Sequence, residues 1–158
     1  LRKKTMLIAA LLVNADNIDC QNTAPSKKRI IENISNILAK STPNISAETI
    51  FHALLERERL GSTGLGRGVA IPHARIPGLN HTVAAMMTLA TPVNYDAADN
   101  KPVDIIVGLL VPEDGAEHHL RHLSRLVTLF RETKTCNTIR NASNAEKIFE
   151  ILLAIDDD

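Results

Sequence analysis

The sequence is poor in aromatic residues and has no excess of charge of either sign. Its 158 residues include no Trp, one Tyr and three Phe, so a platform on which nucleic-acid bases stack is not expected. The 18 basic residues equal the 18 acidic ones, whereas nucleic-acid and membrane-surface binding need a basic excess. We therefore expect neither nucleic acid nor a membrane surface as a general partner.

Cysteine is also scarce. Cys20 and Cys136 lie far apart in the chain and form neither a redox CxxC motif nor a metal-binding pair. Two isolated thiols are typical of a reducing compartment without a disulfide framework, which predicts a cytoplasmic protein. A single bridge between the two stays open on sequence alone.

The apolar run near the start, Met6 to Val13, is too short to span a bilayer. Basic residues precede it as in a signal peptide, but the polar residues 14–17 replace the small-residue cleavage pattern. We predict a first helix or extended segment that packs on the core of a protein not embedded in a membrane. The length suits one domain over residues 1–158, with its core at about 6–155 and with 1–5 as a tag or upstream remnant.

Four further helices are predicted from helically spaced apolar residues or cap signals. The expected N-caps are, in chain order, Ser26, Ser46, Asp114 and Ser143. The second of these helices should stop at Gly61 and the third near Arg131. Glu146 completes a capping box with the serine that begins the last one.

Three apolar segments are predicted to be strands. Residues 69–71 form a short one, and 103–111 are apolar throughout and bounded by prolines, as expected for a central strand covered on both faces. Residues 83–89 are rich in Ala and Met, so a helix stays open there, but turn residues bracket the run and favour a strand. The mixture of helices and strands predicts an α/β fold with a sheet between helices.

A glycine-rich stretch stands at the centre of the chain. It holds four of the seven glycines and reads, over residues 61–75, GSTGLGRGVAIPHAR. Its GxGxG spacing is not the GxGxxG of dinucleotide sites, and no Lys-Ser or Lys-Thr follows as in a Walker loop. Our hypothesis is that His73 is presented at a rigid strand end, beside a hollow built by glycines, to do chemistry. The alternative is a plain tight turn between helix and strand.

Three histidines lie close together on the predicted third helix. His118 and His122 could share a metal, but the Glu or nearby further ligand of the usual zinc pattern is missing, so we expect no metal site. The apolar face consists of Leu120, Leu123, Leu126, Val127 and Phe130. At about 100° per residue, His119 lies about 40° from the centre of that face, His122 about 100° and His118 about 140°. His119 should therefore reach the edge of the core in the first turn, where amides and helix dipole favour an anion, or else be a satisfied structural histidine.

Arg57 lies about 80° from the centre of its helix's apolar stripe, directly before the glycine-rich stretch. Its guanidinium could bind a phosphate or carboxylate, or it could belong to an ion pair within the turn 56–59. Glu58 falls nearer the apolar face, so it needs a partner unless the helix has frayed there.

Four stretches of the chain together resemble the phosphotransferase-system IIA proteins of the mannitol/fructose/nitrogen class. They are GSTGLGRGVAIPHAR, AETIFHALLERERLGSTG, DAADNKPVDIIVGLLVPEDGAEHHLRHLSRL and TKTCNTIRNASNAEKIFEIL. The GSTG opening, the KTC..IR stretch and the free-standing domain most resemble the nitrogen-regulatory branch. The resemblance implies the mannitol-type IIA fold, a single α/β domain with a central mixed β-sheet flanked by helices on both faces.

The resemblance also implies a site. His73 would accept a phosphoryl group as a tele-phosphohistidine, and His119 and Arg57 would balance its charge. Support for the phosphate is expected from Gly61, Ser62, Thr63 and Gly64, without any metal or cofactor. The family commonly has glycine directly after the active histidine, where this chain has Ala74.

The expected donor is an HPr-like phosphocarrier protein. The nitrogen branch further implies regulatory protein targets, such as potassium transport or sensor-kinase systems. Three alternatives stay open: a fructose- or mannitol-type IIA that passes phosphate to a sugar permease domain, a regulator that only binds, and a metal-dependent hydrolase that uses His118 and His122.

Overall fold

The computed structural model describes residues 8–114 and 116–156, and the side chains of 8–114 and 120–155. The helices are α1 Ile8–Leu12, α2 Lys27–Ala39, α3 Ala47–Arg59, α4 Ala116–Phe130, α5 Thr133–Arg140 and α6 Ala145–Asp156. The strands are β1 Ile18–Asn22, β2 Gly64–Gly66, β3 Val69–Ala70, β4 His73–Ile76, β5 Val83–Val93 and β6 Val103–Pro112. None of the described helices is long and apolar enough to cross a membrane.

The described strands form one mixed sheet around β6. Its order is β1-β5-β6-β3-β2, and β4 also pairs with β6. β5 and β6 are antiparallel, whereas β3 and β4 both run parallel to β6. The two short strands follow each other along the same edge of β6, opposite Ile105–Ile106 and then Leu109–Pro112. This edge carries the glycine-rich stretch through to His73.

Helices cover both faces of the sheet, as predicted. Along β6, Ile106 and Leu110 point to the core formed with α2 and α3, whereas Ile105, Val107 and Leu109 point to the core formed with α1, α4, α5 and α6. Successive side chains of a strand face opposite sides, so an apolar β6 can fill both cores. Gly108 lets α2 approach closely, because a Cβ there would lie 2.6 Å from Cγ1 of Ile34.

The predicted caps of α2 and α3 are confirmed. The hydroxyl of Ser26 accepts a hydrogen bond from the Arg29 amide, and that of Ser46 accepts one from the Thr49 amide. Segment 8–12 is helical with all its residues except Ala10 buried, and residues 83–89 belong to a strand rather than a helix. Asp114, the predicted cap of α4, is separated from its first residue by Gly115, which lies outside the described residues.

The cap of α6 was predicted wrongly. Oδ1 of Asn144 accepts the Lys147 amide at 2.8 Å, and α6 begins directly after Asn144 at Ala145. The helix therefore starts one residue later than a cap at Ser143 requires. Four further elements, β1, β2, β4 and α5, were absent from the sequence prediction; all are short, and β1 and α5 are rich in polar residues.

Candidate functional site

His73 is held at the joint between β3 and β4. Ala70 pairs with Ile106 and His73 pairs with Leu109, so residues 71 and 72 bridge two short strands that share one register on β6. The Leu109 amide donates to the Pro72 carbonyl at 3.0 Å and anchors this bridge. His73 is thus the first residue of β4, rather than the residue that leaves the end of β3.

One nitrogen of the His73 ring is hydrogen-bonded to the backbone. Nδ1 lies 2.8 Å from the carbonyl oxygen of Ile71. A carbonyl can only accept, so Nδ1 carries the hydrogen and donates it. In the neutral ring the lone pair then belongs to Nε2.

The half-buried position of His73 favours this neutral ring. Burial lowers the pKa of the imidazole from its ordinary value of 6.5. The hydrogen bond to the Ile71 carbonyl and the charge of the Glu58 carboxylate raise the pKa, whereas the Arg57 guanidinium lowers it further. Because the net shift is downward, the ring is neutral and nucleophilic at neutral pH.

An open pocket of about 510 Å³ lies beside His73. Its lining residues are Ala53, Glu56, Arg57, Leu60, His73, Ala74, Arg75, Leu109, Val111, Leu120 and Leu123. Leu60 and Leu120 are large apolar side chains exposed at 85% and 58%. The pocket therefore combines a histidine and two arginines with exposed apolar side chains.

Arg57 lies in the same pocket as His73. Its Nη1 donates to the Gly61 carbonyl at 2.9 Å, and its side chain is half-buried. The ion pair within this turn of α3 is formed by Glu56 and Arg59 instead. The guanidinium of Arg57 keeps further donors for a ligand, because one hydrogen bond uses only part of its fork.

The loop residues 61–64 do not line this pocket. Thr63 is buried, and both its amide and its hydroxyl donate to Glu58, at 2.9 and 2.6 Å. The Ser62 hydroxyl accepts the Gly64 amide at 3.1 Å. Gly61 therefore contributes to the pocket through its carbonyl oxygen, which holds Arg57 in position. Thr63 is hydrogen-bonded to Glu58 of α3.

The structure locates only the backbone of His119. It belongs to the first turn of α4, whereas its side chain and that of His118 lie outside the described ones. Leu120 was assigned wrongly to the buried face, because the start of α4 borders the open pocket. His122, placed by its spacing about 100° from the centre of the apolar face, is 7% exposed and packed inside.

Ala74 fits its position without backbone strain. It lies in β4 opposite Leu110 and is absent from the described non-glycine residues with positive φ. Extended backbone suits alanine as well as glycine. The departure from the family pattern after His73 therefore leaves the strand intact.

Sequence reasoning missed two residues next to this site, Lys27 and Tyr95. Both contact the buried Glu58 carboxylate, by an ion pair at 3.0 Å and a hydrogen bond at 3.3 Å. The only signal in the sequence was the position of Glu58 near the apolar face. It predicted that the carboxylate has a partner but did not identify that partner. Among the side chains that the structure describes, no three His, Cys, Asp or Glu residues gather as metal ligands would.

Comparison with known proteins places the chain in a family. The family described as "Phosphoenolpyruvate-dependent sugar phosphotransferase system, EIIA 2" matches residues 11–155. A nitrogen regulatory protein of Pseudomonas aeruginosa is 41% identical over 130 residues, which cover 82% of this chain and 84% of that protein.

Two solved structures share the fold. Nitrogen regulatory protein IIA-Ntr of Neisseria meningitidis is 38% identical with a TM-score of 0.85, over 92% of this chain and 98% of that one. IIA mannitol of Escherichia coli is 19% identical with a TM-score of 0.73, over 88% and 97%. The chain is a phosphotransferase component that belongs to the EIIA type-2 family of the phosphoenolpyruvate-dependent phosphotransferase system, and it is similar to the nitrogen regulatory members of that family.

Proposed function

We propose that the protein is a histidine phosphoryl carrier that accepts a phosphoryl group on Nε2 of His73. The observation that carries the proposal is the hydrogen bond from Nδ1–H to the Ile71 carbonyl at 2.8 Å. It leaves the lone pair on Nε2, in a ring whose pKa is lowered by burial. A neutral imidazole positioned in this way is a competent nucleophile at neutral pH.

The proposed donor is the phosphohistidine of an HPr-like phosphocarrier protein. The Nε2 lone pair attacks phosphorus in line, and the bond from phosphorus to the donor's imidazole nitrogen breaks as the new bond forms. Nδ1 keeps its hydrogen throughout, so the acceptor ring loses no proton. Both partners are phosphoramidates of imidazole, which makes the transfer nearly balanced in free energy and reversible.

Arg57 is proposed to stabilise the charge of the transferred group, together with His119. A guanidinium bound to the Gly61 carbonyl is pre-organised and has donors left for phosphoryl oxygens. We assign Gly61, Ser62, Thr63 and Gly64 an indirect part in phosphate binding, since the loop they form holds Arg57 and the strand before His73 in place.

The phosphorylation state is proposed to regulate other proteins. The similarity to nitrogen regulatory proteins, at 41% and 38% identity, supports this output over sugar transport. The protein would act in the cytoplasm, and potassium transport or sensor-kinase systems would be targets of this kind. The exposed Leu60 and Leu120 beside the pocket offer apolar contact area for a protein partner.

Reconstituted phosphorylation tests the proposal. The protein is incubated with phosphoenolpyruvate, the first enzyme of the system and a phosphocarrier, and the intact mass is followed. We expect an acid-labile gain of one phosphate that His73→Ala abolishes. His81→Ala is the matched control, because His81 is an exposed histidine outside the pocket.

Two outcomes contradict the proposal in different ways. Labelling that persists in His73→Ala refutes the site, whereas no labelling of the wild type leaves a regulator that only binds. A sugar permease domain is then added to the labelled protein together with its sugar. Transfer of the phosphoryl group to the sugar would contradict the regulatory assignment and identify a fructose- or mannitol-type IIA.

A further inference from the structure

The carboxylate of Glu58 is a buried charge directly behind the proposed site. Its side chain is 5% exposed although it lies in the last turn of α3, next to Arg57. Burying a carboxylate is costly unless its oxygens are paired and hydrogen-bonded. The Glu58 carboxylate is nevertheless buried here. Its hydrogen-bond and ion-pair partners therefore indicate which parts of the chain it holds in position.

Four donors converge on this carboxylate. They are the Thr63 amide at 2.9 Å, the Thr63 hydroxyl at 2.6 Å, the Tyr95 hydroxyl at 3.3 Å and Nζ of Lys27 at 3.0 Å. Nζ of Lys27 also lies 4.6 Å from the centre of the buried Tyr95 ring. An ionised carboxylate offers only acceptors and matches this set, whereas an amide would bring two donors of its own.

A chain of hydrogen bonds leads from Glu58 to the ring of His73. Glu58 accepts the Thr63 amide, and the Thr63 carbonyl accepts the Ile71 amide at 3.0 Å. The Ile71 carbonyl in turn accepts Nδ1–H of His73 at 2.8 Å. Three consecutive bonds therefore connect a fixed negative charge on α3 with the ring nitrogen that must keep its hydrogen.

We propose that Glu58 is a positioning residue for His73: by fixing Thr63 it aims the Ile71 carbonyl that selects the Nδ1–H tautomer. This inference rests on the proposed function in one respect, because tautomer selection matters to transfer only if Nε2 is the acceptor. Without Glu58, Thr63 loses the acceptor of both its donors, and Ile71, between β3 and β4, loses its fixed partner. The hydrogen of the neutral ring can then lie on Nε2. In that tautomer Nε2 has no free lone pair with which to attack phosphorus.

The tautomer of His73 provides a readout that does not depend on phosphorylation. We compare ring ¹⁵N chemical shifts of the unphosphorylated wild type, Glu58→Gln and Thr63→Val at a pH where the ring is neutral. Thr63→Val keeps the branched shape and removes the hydroxyl, and it serves if Glu58→Gln does not fold. Thr63→Ser restores the hydroxyl, and Glu48→Gln changes an exposed glutamate of the same helix.

We expect a single Nδ1–H tautomer in the wild type, Thr63→Ser and Glu48→Gln. Glu58→Gln should show a population of the Nε2–H tautomer and accept phosphate about tenfold more slowly or worse. Thr63→Val should shift the tautomer and the rate in the same direction but less, because its backbone amide can still donate to Glu58. Thermal unfolding is measured for all variants. Folded variants that keep the wild-type tautomer and rate would overturn the inference and leave Glu58 a structural residue.

The two proposals fail in distinguishable ways. A tautomer shift in the variants together with an unlabelled wild type would refute phosphoryl acceptance at His73 and retain the positioning by Glu58. Labelling of the wild type together with unchanged tautomers and rates in the variants would retain phosphoryl acceptance at His73 and refute the positioning by Glu58.

Discussion

Nδ1 of His73 donates a hydrogen bond to the carbonyl of Ile71, two residues earlier in the chain, at 2.8 Å. Ile71 and Pro72 lie between β3 and β4, which pair with β6 in one continuous register, so the ring belongs to the first residue of β4 and contacts the backbone just before that strand. One short contact thus determines which ring nitrogen carries the hydrogen and which keeps the lone pair.

Arg57 should matter to transfer rate far more than to stability. Arg57→Ala is expected to slow phosphoryl acceptance about 10²- to 10³-fold, as for loss of one pre-organised donor, and Arg57→Lys should recover only part of the rate. Single-turnover mass measurements with phosphorylated carrier give these rates. Arg59→Ala is the control, since Arg59 is exposed and pairs with Glu56. Equal effects of the two alanine variants would contradict a specific role for Arg57.

Phosphoryl acceptance should stay fast to lower pH than an ordinary histidine allows. Burial, aided by Arg57, lowers the pKa of His73 below 6.5, so the neutral ring persists under mildly acidic conditions. The pH profile of the single-turnover rate should therefore have its acidic midpoint below 6.5. A midpoint above that value would show that the ring is stabilised in its charged form.

The same shift should appear in stability. A lowered pKa in the folded state contributes stability that is present above the unfolded-state pKa and is lost as pH falls through the folded-state pKa. Between about pH 7.5 and about pH 5, the free energy of unfolding should therefore fall more in the wild type than in His73→Ala. Urea denaturation at several pH values measures this difference. A larger fall in His73→Ala would reverse the sign and contradict the lowered pKa.

Gly68 should tolerate a side chain less well than Gly78. Both have positive φ, 84° and 85°, but a Cβ on Gly68 would lie 2.5 Å from Nη2 of Arg140, whereas nothing lies within 4 Å at Gly78. Gly78→Ala should lower the free energy of unfolding by about 1 kcal/mol through backbone strain alone. Gly68→Ala should lower it more, because the new side chain also pushes Arg140 away from Asp104, its ion-pair partner at 2.8 Å. Equal losses in denaturant titrations would contradict this reading.

The start of α6 gives a test of the corrected cap. Asn144→Ala should lower the free energy of unfolding by about 1 kcal/mol, since it removes the acceptor of the Lys147 amide. Ser143→Ala should change it little, because the neighbouring serine is exposed and precedes the cap. The opposite order of effects would restore Ser143 as the cap.

Local patterns sufficed for the larger elements of the fold. The apolar spacing and serine caps of α2 and α3 predicted those helices, and the unbroken apolar run predicted β6. β1 was missed because its residues 18–22 are mostly polar and become a strand by pairing with β5. Leu120 was placed on the buried face because spacing along a helix cannot tell a core from an open pocket.

For the site, the sequence identified residues but not their geometry. His73 and Arg57 were selected from the glycine-rich stretch, the helical position and the family resemblance, and the structure brings both to one pocket. The register that aligns His73 with Leu109 depends on pairing between distant segments, which no periodicity encodes. Lys27 and Tyr95 are separated from Glu58 by long stretches of chain, so their contacts needed the folded structure.

The position of the phosphate on the ring tests the central claim most directly. The phosphorylated protein, labelled with ¹⁵N in its histidines, is examined by ¹⁵N and ³¹P NMR so that the nitrogen bonded to phosphorus is assigned. We predict that phosphorus is bonded to Nε2 of His73 and that Nδ1 remains protonated. Phosphate on Nδ1 of His73, or on any other residue, would contradict the account.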